Sequence, residues 1–179
     1  KIAILRIDGK DYPFGGACNK YVNLVHNLDE IAQAEDLVQL RERLVFDKYA
    51  GRLPEKLKPV AKKIGLLKSL LTNTLYPLYS NFFTELGLDV VLADKIDPAG
   101  IEKRGAAFCF PVEISHGMLA DLLKQKDLDY IFLPHVKGLN VENNIPISFT
   151  CPLVQGETYC LRAAFNLNND ERIISPVLD

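Results

Sequence analysis

Four cysteines, at positions 18, 109, 151 and 160, are the side chains of this 179-residue chain best suited to bind a metal or attack an electrophile. Cys109 stands in Ala107-Phe108-Cys109-Phe110-Pro111 and Cys151 in Thr150-Cys151-Pro152. Each is thus followed within two residues by a proline of the kind that opens a helix. A thiol so placed faces free backbone N–H groups and the positive end of the helix dipole. Both favour the thiolate, which is the form that ligates metal or acts as a nucleophile. Cys18 lies in the glycine-bent loop Phe14-Gly15-Gly16-Ala17-Cys18-Asn19 and is a candidate third ligand. Cys160 falls on an expected helix, where filling core space is its simplest role. Two thiolates meeting at one sheet edge would make a metal or cluster site. Cysteines that are buried and apart would be packing residues instead.

Histidines supply the next candidates. His116 is two turns into the helix after Cys109, and His135 follows Pro134 at the end of an expected strand. Either could touch a substrate, and either could equally be a hydrogen-bonded packing residue. Glu113 and Glu157 are the acids nearest the cysteine segments, but the sequence shows neither in a recognisable pair. No G-x-S-x-G elbow occurs. The glycines at 15 and 16 lack the spacing and the Lys-Ser/Thr ending of a phosphate loop.

These residues need elements to position them, and from residue 59 onward the chain alternates. Expected strands are Ile64–Leu67, Leu88–Ala93, Asp129–Pro134 and Ile147–Thr150. Between them stand helices over 74–87, with Pro77 in the first turn and Leu75, Leu78, Phe82 and Leu86 on one stripe, and from Pro111. A short helix opens at Asp97-Pro98 and closes at Gly105, and another spans about 156–166. Apolar strands alternating with helices at this pace predict an α/β fold, a Rossmann-like three-layer domain with a mainly parallel sheet. Such sheets bind ligands at the carboxyl ends of their strands.

Residues 1–58 read as an N-terminal lead-in: a strand, the glycine-rich loop with Cys18, and an amphipathic helix whose start carries Asn27 and Glu30 at capping-box spacing. Pro54 and Pro59 mark the passage to the second domain, 59–179. The chain begins as if already inside a strand and ends as if before its next element, so it reads as a piece of a longer protein, truncated at its C-terminus.

Composition excludes some partners. Hydrophobic residues make up 48% and charged residues 25%, with a net charge of −2, so no basic stripe invites nucleic acid or an acidic membrane surface. No apolar run approaches the ~20 residues of a membrane span. Four scattered cysteines with no Cys-x-x-Cys pair make neither a disulfide framework nor a zinc ribbon. A reducing, cytoplasmic setting is expected.

Several segments combine into a familiar order. Ile64-Gly65-Leu66, Asn81 to Val91, Cys109-Phe110-Pro111-Val112 with His116-Gly117, Asp129 to Pro134, and Thr150 to Gly156 resemble the 2-hydroxyacyl-CoA dehydratase and benzoyl-CoA reductase group. The resemblance covers about residues 60 to 165. Tyr12 to Tyr21 resembles a segment of the large fused proteins of this group, where ATP-binding activase domains precede a dehydratase-like domain. The resemblance implies an iron–sulfur cluster, of [4Fe–4S] type, held by Cys109 and Cys151 and less directly by Cys18. It also implies single electrons delivered by an ATP-hydrolysing activase, an acyl-CoA substrate, and a partner in the parent chain or a dehydratase subunit. Dehydratase subunits often carry a further cysteine where this chain has His135, so Cys18 or a partner chain would supply the remaining ligands. The activase nucleotide loops are absent, and no ATP binding or independent activity is expected of this chain. A docking or regulatory domain for a dehydratase or activase partner is the alternative reading.

Overall fold

The computed structural model describes residues 3–14, 36–93, 95–105, 109–139 and 148–178. The chain forms two compact units, Lys1–Glu42 and Arg43–Asp179, so the proline-bearing stretch from Leu53 to Pro59 belongs to the second. Cys18, Asn27 and Glu30 lie outside the described residues.

In the first unit, β1 (Ala3–Ile7) pairs antiparallel with β2 (Lys10–Phe14). The turn is Asp8-Gly9, with φ of 50° and 76°, the positive angles that a two-residue hairpin of matching twist requires. The expectation of one strand followed by a turn-rich stretch thus missed β2, although an Asp-Gly pair is a strong hairpin signal. Helix α1 (Leu37–Arg43) passes directly into a π-helical turn, Leu44–Lys48.

The second unit is built on a four-stranded, wholly parallel sheet: β3 (Lys63–Leu67), β4 (Asp89–Ala93), β5 (Tyr130–Phe132) and β7 (Ile173–Ile174), in the order β4-β3-β5-β7. Gly65 sits at the centre, in register with Val91 on one side and Ile131 on the other. Alternate residues of a strand face opposite ways, and the two apolar sets separate accordingly. One face packs Leu67, Ala93, Ile131 and Leu133 under α4 (Phe110–Lys124) and α5 (Pro152–Ala164), through Met118, Leu119, Leu122 and Leu161. The other packs Ile64, Leu66 and Phe132 under α2 (Thr72–Glu85), through Tyr76, Tyr79 and Phe83. Phe132 receives the Tyr79 and Phe83 rings edge-on at 5.0 and 4.9 Å. This is the expected Rossmann-like three-layer arrangement. A short helix, α3 (Pro98–Ile101), is capped by Asp97, whose carboxylate accepts from the Ala99 N–H at 3.1 Å. Beyond the main sheet, β6 (His135–Val136) pairs parallel with β8 (Val177–Leu178).

Three expectations are corrected. The stripe of α2 that faces the sheet is Tyr76, Tyr79, Ser80 and Phe83, whereas Leu78, Phe82 and Leu86 point outward, 63%, 56% and 62% exposed. The rings of Tyr76, Tyr79 and Phe83 take the core side, with Leu75 packed against their cluster. Pro77 is the sixth residue of the helix rather than a first-turn residue, because α2 starts two residues earlier than periodicity suggests. Of the stretch expected as a fourth strand, Ile147 lies outside the described residues and Phe149 makes an isolated antiparallel bridge to Gly138; the fourth strand of the sheet is β7. Among the described residues, no helix is long and apolar enough to cross a membrane.

Candidate functional site at the carboxyl edge of the sheet

In a parallel sheet each connecting helix runs back against the strands, so the first residues of α4 and α5 lie at the carboxyl edge. Cys109 is the N-cap of α4 and Cys151 the N-cap of α5, with non-helical ψ of 112° and 138°. Their carbonyls start the helices: Cys109 O accepts from Val112 and Glu113, Cys151 O from Val154 and Gln155. Neither thiol caps its own helix. Cys109 is partly exposed and Cys151 exposed. Cys160 is exposed as well, which corrects its expected core role. Since α4 and α5 cover the same face and pack together in one core cluster, the two capping cysteines share one edge and one side of the sheet. Thr158 anchors α5 there, its hydroxyl against the carbonyls of Leu133 and Pro134 at 3.0 and 3.1 Å.

His116 is buried on α4, and its Nδ1 lies 2.8 Å from the Val112 carbonyl. A carbonyl only accepts, so Nδ1 carries the proton. His135 is buried at the start of β6, where its Nδ1 donates to the Gln155 carbonyl at 3.4 Å and its ring lies 4.2 Å from that of Tyr159. It lines a groove of about 390 Å³ together with Lys137, Pro152, Gln155 and Tyr159, next to the turn that holds Cys151. The two histidines therefore occupy different surroundings. Glu113, in the first turn of α4, is paired with Arg104 at 3.2 Å. Among the described residues, no group of three or more His, Cys, Asp or Glu side chains is arranged to hold a metal ion.

The sheet order has its switch point at β3 and β5, since β4 leaves β3 on one side and β5 on the other. Ligands of such folds bind in this crevice. Here Ser69, just after β3, donates to Oε1 of Glu157 at 3.1 Å, and Glu157 also bonds Ser115 of α4. Burial lifts the Glu157 carboxyl from its ordinary 4.5 to about 7, with the two serines pulling the other way. Tyr79 faces the same crevice, its hydroxyl pushed up to about 12, first by burial and then by Glu157. The sequence marks Glu157 only as an acid near the cysteine segments and outside any recognisable pair; its spacing for the inner face of α5 was the available signal.

Known proteins add one finding to this geometry. No curated protein and no solved structure is similar enough to the chain to match it. A family model does match, over residues 63–179, from the first strand of the parallel sheet to the C-terminus. By that match the chain belongs to the family described as the CoA enzyme activase uncharacterised domain (DUF2229).

Proposed function

We propose that this domain of the CoA enzyme activase family serves ATP-driven, low-potential electron transfer to a CoA-linked enzyme of the 2-hydroxyacyl-CoA dehydratase and benzoyl-CoA reductase group. In this reading Cys109 and Cys151 are two ligands of a [4Fe–4S] cluster, and Cys18 or a partner chain completes the set. The observation that supports it is the placement of both thiols as accessible N-caps of neighbouring helices on one edge of the sheet. Two thiols fit the donor chemistry of such a cluster but not its count, and the described residues add no third ligand beside them. The chain's own part is therefore to present two thiols on rigid helix ends. A bound cluster would supply one-electron carriage.

Iron and acid-labile sulfide content of the anaerobically reconstituted 179-residue protein, with its visible spectrum, tests this. Stoichiometric iron and sulfide are expected, retained in Cys160→Ala and lost in Cys109→Ala and Cys151→Ala. Folded, anaerobic protein without iron would remove the self-contained site. A docking domain for a dehydratase or activase partner is then the better reading. The outward row of Leu78, Phe82 and Leu86 on α2 favours it, since an exposed apolar row suits a protein contact.

A further inference from the structure

The crevice at the switch point holds a small cavity of about 20 Å³, lined by Ser69, Thr72, Tyr79, Pro134 and Glu157 among apolar side chains. That is room for one water molecule, which a cavity holds only when several polar groups converge on it. Tyr79 is 5% exposed, and its hydroxyl is buried with no protein partner. A buried hydroxyl left without a partner is costly, and a water in this cavity would relieve it. On the far side, Ser115 Oγ already donates its single proton to the Val112 carbonyl at 2.8 Å. Ser69 donates to Oε1 of Glu157 at 3.1 Å. The Tyr79 hydroxyl and the Glu157 carboxyl thus line one cavity, with Ser69 and Thr72 beside them.

We propose that this cavity holds one water molecule between the Tyr79 hydroxyl and the Glu157 carboxyl. Its surroundings agree. From α2 Glu157 faces Tyr79 and Thr72, from the loop after β3 Ser69, and from α4 Ser115. The nearest histidine of α4, His116, is bound to the Val112 carbonyl, and that of β6, His135, lies against Tyr159. No cation figures among the groups that act on Glu157, and burial lifts its pKa to about 7.

The test is a carbon-13 carboxyl titration of the full chain by NMR, assigned with Glu157→Gln, alongside thermal melts of Tyr79→Phe. One glutamate should titrate near pH 7 in the wild type and vanish from Glu157→Gln. In Tyr79→Phe its midpoint should move upward, because the water loses the donor that steadies the carboxylate, and the melting temperature at pH 6 should fall. A dry cavity predicts the reverse for Tyr79→Phe: a higher melting temperature, since an unpartnered hydroxyl is removed, and an unmoved midpoint. That result would overturn the proposal. So would a melting temperature that rises in potassium or ammonium chloride relative to tetramethylammonium chloride at equal ionic strength, which would mark a cation site on an ionised Glu157.

Discussion

Glu157 ties the stability of the second unit to pH. Its carboxyl releases its proton at about 7 in the folded chain against 4.5 ordinarily, so between these values the native state holds a proton that the unfolded chain has lost. The group's favourable contribution is then complete below about pH 4.5, declines as pH rises, and is gone above about pH 7. A difference of that size corresponds to about 3 kcal/mol. Glu157→Gln keeps the shape but cannot ionise. Urea unfolding of this variant should show a flatter stability profile between pH 5 and 7, and greater stability than wild type at pH 8. An unchanged slope would assign the pH dependence to another group. What sequence could reveal at this scale is uneven. Cys109 and Cys151 were recognisable because a following proline announces a helix start, a local signal. Ser69, 88 positions from Glu157, could not be joined to it without the sheet order that brings them together.

Among the elements, α3 and α4 meet through glycine. A Cβ on Gly100 would stand 2.5 Å from the His116 carbonyl oxygen and 2.6 Å from the Ala120 Cβ, and neither atom lies at the end of a flexible side chain. Alanine is the better helix former, by up to about 1 kcal/mol, so propensity alone predicts stabilisation by Gly100→Ala. Overpacking costs about 1–3 kcal/mol and should win. Urea denaturation of Gly100→Ala should therefore show a loss of stability, and a gain would mean that α3 can move away from α4 freely. Sequence periodicity found α2, α3 and α4 but started α2 two residues late and chose the wrong side of it. The row Leu78, Phe82, Leu86 and the row Tyr76, Tyr79, Phe83 are both apolar with helical spacing. Only the sheet, where Phe132 accepts two aromatic rings, decides between them. The supposed strand before Cys151 shows the same limit: a short β-prone run does not say whether a sheet has a place for it.

For the whole molecule, the alternation of apolar strands and helices was enough to specify a parallel α/β sheet, because both of its faces must be covered. The order β4-β3-β5-β7 came only with the structure. Both core clusters lie within residues 45–178. A chain comprising residues 43–179 should accordingly unfold in one cooperative transition by circular dichroism. A broad, non-cooperative melt of that piece would show that its core needs residues 1–42.

The two clusters sit on opposite faces of one thin sheet and share no buried residue. Substitutions that are far apart and have no common neighbour tend to act independently. Over evolutionary time, the aromatic side beneath α2 and the aliphatic side beneath α4 and α5 can therefore drift on separate schedules, one accommodating a change without negotiation from the other. The crevice at the switch point belongs to both, taking Tyr79 and Phe132 from one cluster and Leu67 and Leu133 from the other. There the two histories are bound together, and a change tolerated on either side must still fit the same small space.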